Sequence, residues 1–487
     1  MSTDSSDNIT PDDKLVSINK FARSGMLLFI DQLLVAIANW IYWVLISKIT
    51  STSQIGQATT IYSLALLVST ITQMGLEYAL LKRSSTHHNQ HQILGTALVI
   101  EIAITLASIP IVVYIINNVY EENSLQQFTW IAVGMIIFSS IGFVARFSIL
   151  GISDVKKVLV IDIIGASVKF VTGYTLVLIG LAVFGIVMSI LLNIVFVTCA
   201  ALFVAGKRFT FSVGNLTYFK EIIQDALANM PSKLSKVLIL SLSIVLLASF
   251  GINTSDIGMF YVALMISIVV GGLTASMAFM IIPPSSASNM DLSSSGIRIG
   301  LSLTAPWITA LEVAPKAILS IIGTQYAPAE IVLLVLGASI LPSAITINTI
   351  SKFNNLNKPI KLISIGSVEI LAFLTSFFFL VPDYGALGAA LSTLIAFVSS
   401  ACLSLIWSER VAMRYIAISV ISIITGYTAG RFLGLFAVVD DRYPFAKILL
   451  SIGVTLMIII ALKNTSIIEI RDLVKAIAST RYKNSRH

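Results

Sequence analysis

The sequence predicts an all-α polytopic membrane protein of about fourteen transmembrane helices, built as two six-helix pseudo-repeats with two helices appended. Three observations carry this. The 487 residues are 56% hydrophobic and only 11% charged, with a mean hydropathy of +0.94, whereas globular domains carry about 25% charged residues. Apolar runs of about 20 residues, enough to cross a hydrocarbon core of about 30 Å, recur from end to end. Landmark residues also recur at a nearly constant offset of about 202 positions.

The spans fall near 24–47, 55–80, 94–116, 129–149, 158–181, 185–205, 230–250, 257–282, 299–322, 330–350, 360–381, 386–407, 415–437 and 446–462. They divide the chain into a tail (1–22), an N-lobe of helices 1–6 (23–208), a C-lobe of helices 7–12 (209–410), helices 13–14 (411–463) and a second tail (464–487). The first tail is polar and acidic, unlike the basic n-region of a secretory signal, so helix 1 is expected to stay in the mature chain. The second tail reads as a basic amphipathic helix on the membrane surface. Loops are short, and none outside the membrane is long enough to fold as a domain. Cys199 and Cys402 both lie within apolar runs, where buried thiols are expected rather than a disulfide.

The basic residues test the span count. With a cytoplasmic N-terminus, 25 of the 31 Lys and Arg fall in inner segments. Only Lys48, Arg442 and Lys447 fall outside, and Lys169, Lys316 and Arg431 lie within spans. This is the positive-inside bias, and it places both termini in the cytoplasm of a plasma-membrane protein. The net charge of +7 is then attraction to anionic lipid, and no nucleic-acid partner is expected.

The repeat aligns Ile55-Gly56 with Ile257-Gly258 and Lys156 with Lys358 at 202, and Gly185, Ser189 and Cys199 with Gly388, Ser392 and Cys402 at 203. An even number of spans per copy gives both halves the same orientation, and repeats flanking a midplane site are typical of secondary transporters. In "VPDYGALGAALSTL" (381–394) Gly385, Gly388 and Ser392 flatten one face at the start of helix 12. In lipid, where bulk gives no preference for a helix partner, such a face is a packing seam.

Four stretches in order carry a family resemblance. They are "STSQIGQATTIYSLALLVSTITQMGLEYALLKRS" (51–84), "GTQYAPAEIVLLVL" (323–336), "NNLNKPIKL" (354–362) and "VPDYGALGAALSTL". Together they resemble the polysaccharide-type flippases of the multidrug/oligosaccharidyl-lipid/polysaccharide exporter superfamily, from about residue 20 to 410. The resemblance implies a V-shaped two-lobed transporter moving a lipid-linked oligosaccharide between leaflets by alternating access. It also implies a central cavity lined by helices 1, 2, 7 and 8, with helices 13 and 14 outside the core. Relatives often carry an Asp within helix 7, but "KVLILSLSIVLLASF" (236–250) has no acid, so no role carries over from it.

A charge at the bilayer centre costs roughly 2.5–3.5 kcal/mol on insertion scales, so each one within a span needs a partner, a wet cavity or a function. Arg146, Arg431 and Lys316 lie near span ends and are expected to snorkel. Lys169, eleven residues into helix 5, lies roughly 16 Å deep, and Glu369 is at a comparable depth in helix 11. Asp31 in helix 1 and Glu101 in helix 3 lie roughly 10 Å from the inner ends. Asp31 follows Arg23 at two turns' spacing, an order similar to helix 1 of lipid II flippases. Structural readings stand beside these. Asp162 and Lys169 share a face of helix 5 and a water could bridge them, and Glu312 and Lys316 are spaced to neutralise each other.

With the cargo that the resemblance implies, a polyprenyl-diphosphate sugar, Arg23, Lys233 and Lys236 become candidates to neutralise the anionic head group, with Asp31 and Lys169 in the cavity. Asp31, Glu101 or Glu369 would titrate or hold Na⁺. The coupling ion would be H⁺ or Na⁺, no other cofactor or metal is expected, and no Walker motif points to ATP. The expected partners are the lipid-linked oligosaccharide, membrane lipid and a polysaccharide polymerase or glycosyltransferases, the protein itself being monomeric. Two other functions stay open: a drug or cation antiporter of the same superfamily, and a membrane glycosyltransferase or polymerase.

Overall fold

The computed structural model describes residues 31, 34–73, 75–76, 80, 90–120, 123–151, 154–207, 212–213, 219–220, 222–223, 239–288, 293–356, 358–407, 410–435 and 444–462. Every regular element among them is helical. The first half contains α1 (Leu34–Ile49), α2 (Thr52–Gln73), α3 (Gln90–Tyr114), α4 (Thr129–Gly151), α5 (Val155–Leu178) and α6 (Ala182–Gly206). The second contains α7 (Ile239–Ser249), α8 (Thr254–Ser288), α9 (Ser293–Val313), α10 (Glu330–Asn355), then α11 and α12 as the two limbs of Pro359–Ile406. α13 (Arg410–Leu435) and α14 (Pro444–Ala461) follow. Nine helical stretches among the described residues are long and apolar enough to cross a bilayer, and α9 with the short helix Pro315–Ile322 adds a bent tenth. Exposed apolar side chains such as Phe379 and Leu449 suit a surface solvated by lipid tails.

The helices pack as two lobes. α2, α4, α5 and α6 group together with α3 against α4, and α8, α9 and α10 group with the α11–α12 pair. The appended α13 and α14 pack on α9 and on each other. Their seam uses small residues: a β-carbon at Gly426 of α13 would lie 2.9 Å from Thr309 Cγ2 of α9 and 3.1 Å from the Ser451 carbonyl of α14.

The lobes meet chiefly through α2 and α8, at the end that the charge bias predicts to be outer. Gly56 and Gly258 lie face to face there. A β-carbon on either would lie 3.0–3.1 Å from the other's amide nitrogen and would collide with the Thr254 or Thr52 carbonyl. Two hydrogen bonds flank the glycines, Thr52 Oγ1 to Ser255 Oγ at 2.7 Å and Ser53 Oγ to Thr254 Oγ1 at 2.9 Å. The 202-residue offset carries Thr52 onto Thr254 and Ser53 onto Ser255, so exchanging the repeats exchanges the two bonds. This is the isologous contact of a two-fold dimer, made within one chain. Gln325, ahead of α10, adds a clamp by donating to the Ser47 and Thr50 carbonyls at 3.0 and 3.1 Å.

Three expectations need correction. The ninth span is not continuous: it breaks at Ala314 (φ −141°, ψ 55°) and turns through 89°. Pro315 disfavours helical geometry in the residue before it and supplies no N–H. Glu312 is therefore buried while Lys316 is exposed on the far side of the bend, and the two make no ion pair. The link between α11 and α12 is shorter than the gap at 382–385 between the expected spans, since the backbone stays helical through Tyr384 and leaves it only at Gly385 (φ 53°, ψ −126°), a conformation that favours glycine. Cys199 and Cys402 are free, as expected, but exposed on the outside of the bundle rather than buried.

The small-residue seams close the two hairpins. A β-carbon at Gly388 would strike the Leu380 carbonyl of α11, and one at Gly185 would lie 2.9 Å from Leu176 Cβ of α5.

Candidate functional site

Inside the N-lobe lies a cavity of about 610 Å³, lined by α1, α2, α4, α5 and α6, within the usual ligand-pocket range of about 300–1,000 Å³. α7 and α8 contribute no lining residue among the described residues. Among the described residues the lining comes from one lobe, whereas the resemblance implied helices of both. Val35 and Asn39 line the cavity from α1, four residues apart on one helical face, and Asp31, ahead of α1, lines it too.

Arg146 of α4 is the central charge. Its Nη2 lies 3.2 Å from Asp31 Oδ2 and forms a second, short ion pair with Asp162 Oδ2 of α5. The two carboxylates are almost fully buried and the guanidinium about a third exposed toward the cavity. The expected snorkelling of Arg146 is therefore corrected. Position 146 is five residues short of the end of α4, and two acids on neighbouring helices hold the side chain inside. Two carboxylates share one cation, so the cluster carries a net charge of −1 when both are ionised.

Lys169 lies two turns beyond Asp162 on α5 and lines the same cavity. It does not share a partner with Asp162: its Nζ donates to Asn39 Oδ1 and sits 4.3 Å over the Tyr42 ring. No carboxylate pairs with Lys169 among the described residues. Tyr42 is held by Ser189 at 2.8 Å, and Gly173 leaves the room it fills, since a β-carbon there would lie 2.7 Å from Tyr42 Cε2. The cavity thus contains an acidic cluster at the Asp31 level and a lysine with neutral partners about two turns along α1.

The other candidates separate from it. Glu101 is fully buried on α3 behind α2, where Thr72 Oγ1 donates to its Oε1 at 3.1 Å, and it does not line the cavity. Glu369 is buried on α11, in the other lobe. Arg23, Lys233 and Lys236 lie outside the described residues, as do the two tails. Sequence reasoning missed Asn39, Tyr42 and Asn193 as lining or ligating groups, and the signal for Asn39 was its eight-residue spacing from Asp31.

Above the cavity, Tyr42, Trp43 and Tyr261 form an aromatic layer. The Tyr42–Trp43 and Trp43–Tyr261 ring centroids are 5.4 and 4.8 Å apart, both edge-to-face. Trp43 belongs to α1 and Tyr261 to α8, so the second contact crosses between the lobes. On α8 this layer falls about one turn from Gly258.

Two lobes built from repeats, joined at one end beside a charged intramembrane cavity, form an arrangement common among secondary transporters. Solved structures agree on the fold. The lipid II flippase MurJ in its inward closed conformation superposes with a TM-score of 0.69 at 14% identity, over 92% of this chain and 99% of that one. An inward-facing multidrug resistance MATE family transporter of the MOP superfamily gives 0.60 at 15%, over 80% and 98%. A MOP superfamily transporter from Pyrococcus furiosus described as having a binding pocket of reverse polarity gives 0.53 at 16%, over 82% and 96%. At these identities the likeness shows the fold alone. No curated protein matches the chain in sequence. The profile of one family matches residues 45–339, and by that match the chain belongs to the polysaccharide biosynthesis protein family.

Proposed function

We propose that the protein is a flippase carrying a polyprenyl-diphosphate-linked oligosaccharide from the inner to the outer leaflet by ion-coupled alternating access, with both termini cytoplasmic. The observation that carries this is Lys169, a cation in an intramembrane cavity whose partners are a neutral amide and an aromatic face. An uncompensated charge at that depth is costly, and an anionic head group entering the cavity relieves the cost by a charge-assisted contact. Family membership and a fold shared with a lipid II flippase support the same cargo.

In this mechanism the diphosphate seats at Lys169 while the prenyl tail stays in lipid, and the glycan occupies the wet space between the lobes. The Asp31–Arg146–Asp162 cluster takes up H⁺ or Na⁺, which cancels its residual negative charge. Loss of that ion restores the repulsion between the carboxylates and favours the other access state. Polysaccharide polymerase or glycosyltransferases would supply and consume the cargo.

The same acidic cluster favours a second reading, the export of organic cations. The test is binding of bare polyprenyl diphosphate to the purified protein. Saturable binding lost at least tenfold in Lys169→Met and retained in Lys169→Arg is expected. Binding of organic cations instead, sensitive to Asp31→Asn and indifferent to position 169, would overturn the flippase reading.

A further inference from the structure

The aromatic layer contains two polar groups that the closed state leaves unused. Trp43 is 3% and Tyr261 2% exposed, yet Trp43 Nε1 and Tyr261 Oη have no hydrogen-bond partner among the described residues. Buried donors are nearly always satisfied, so two orphans in adjoining rings need an explanation. A purely structural contact would be served as well by Phe at both positions, which would remove the desolvation cost of the donors.

The position of the pair supplies the explanation. Along α1, the cavity-lining residues end at Asn39, Trp43 follows one turn later, and Thr52 and Ser53 begin the seam on α2. Along α8, Tyr261 lies one turn from Gly258. The rings therefore form the partition between the cavity and the closed seam, and because one comes from each lobe, separating the lobes at that end uncovers both. Tyr62 of α2 already lines the cavity just below.

We propose that Trp43 and Tyr261 form a carbohydrate subsite on the transit path. The subsite takes the glycan of a lipid-linked saccharide, the cargo proposed above, on which this inference rests. Flat aromatic faces pack against the C–H faces of a pyranose ring, and a tryptophan N–H and a tyrosine O–H each donate to a sugar hydroxyl. A bare prenyl diphosphate, whose phosphates seat at Lys169, brings neither a pyranose face nor a sugar hydroxyl to these rings. In the closed state the rings seal against each other. With the lobes apart, the sugar replaces the ring–ring contact and satisfies both donors. The subsite thus stabilises the opened lobes only when a sugar is present.

The experiment uses the full-length protein in proteoliposomes and two probes. One is the lipid-linked saccharide fraction extracted from cells deleted for this protein, and the other is bare polyprenyl diphosphate. Outward delivery of each is compared in wild type, Trp43→Phe and Tyr261→Phe; the second keeps its ring and loses only the donor, and the first loses the donor together with part of the indole. Delivery of the saccharide lipid is expected to fall about three- to tenfold in each variant, the loss of roughly one hydrogen bond. Delivery of the bare lipid stays at the wild-type rate. Thermal stability is expected not to fall in Tyr261→Phe, because the closed state loses no bond there, and to fall modestly in Trp43→Phe, where the smaller ring leaves part of the indole's space empty. Equal slowing of both probes, or no slowing of either, would overturn the subsite. A wild-type protein that moves neither probe would refute the flippase reading and the subsite with it, an outcome distinct from selective failure of the variants.

Discussion

Alanine at Gly56 is the sharpest perturbation of the seam between the lobes. A β-carbon there would collide with the Thr254 carbonyl and crowd the Gly258 nitrogen at 3.1 Å. Backbone atoms cannot rotate away, so α2 and α8 must part by roughly 1–2 Å to reach ordinary contact distances. That shift takes the Thr52–Ser255 and Ser53–Thr254 bonds, now 2.7 and 2.9 Å, out of range together. At about 0.5–1.5 kcal/mol each, their loss favours the separated lobes by about 1–3 kcal/mol, a shift of about 5- to 150-fold in the equilibrium. The assay is oxidative cross-linking of cysteines introduced at Thr52 and Ser255, in a background where Cys199 and Cys402 are Ser. Cross-linking should fall at least fivefold on adding Gly56→Ala, and maleimide labelling of the position-52 thiol from the outer side should rise. Gly258→Ala should do the same, with little further effect in the double variant because both glycines serve one contact. Unchanged cross-linking in Gly56→Ala would refute the reasoning.

Three other outcomes follow from single contacts. Arg146→Gln leaves Asp31 and Asp162 facing each other without a cation, which should cost about 1–3 kcal/mol given the partial exposure of the guanidinium. Thermal unfolding in detergent would show a fall of several degrees, partly restored by adding Asp31→Asn. Glu312→Gln should leave the unfolding temperature unchanged or raised, because Oε1 is buried against Gly337 without a hydrogen-bond partner among the described residues and a neutral side chain suits that site. Gly426→Val should lower the unfolding temperature by forcing α13 off α9 and α14, while leaving delivery per folded molecule within about twofold, since the cavity lies in the other lobe.

Much of the fold was legible because bilayer thickness fixes helix length. The repeat could be read as well, since Ile55-Gly56 and Ile257-Gly258 share a sequence pattern. Their meeting face to face could not, because a one-dimensional offset does not say where the symmetry axis passes. Depth singled out Asp31, Glu101, Lys169 and Glu369, of which Asp31 and Lys169 line the cavity, but it misplaced Arg146. A basic residue near a helix end usually reaches for the interface, and only the packing of α4 against α1 and α5 reveals two acids within reach. The break at Ala314 was announced by Pro315, yet the spacing of Glu312 and Lys316 suggested a helix intact enough to pair them. The aromatic layer was illegible for a simpler reason: Trp43 and Tyr261 are 218 residues apart, and each alone reads as an ordinary apolar residue of a span.

The most direct measurement is leaflet-resolved delivery in sealed vesicles. Wild-type protein would be reconstituted with inner-leaflet lipid-linked oligosaccharide from deletion cells, and its appearance outside followed with a membrane-impermeant sugar-modifying reagent under an imposed H⁺ or Na⁺ gradient. Delivery well above that of protein-free vesicles, increased by one of the gradients and abolished in Lys169→Met, is the expected result. Delivery equal to that of protein-free vesicles under every gradient would contradict the account.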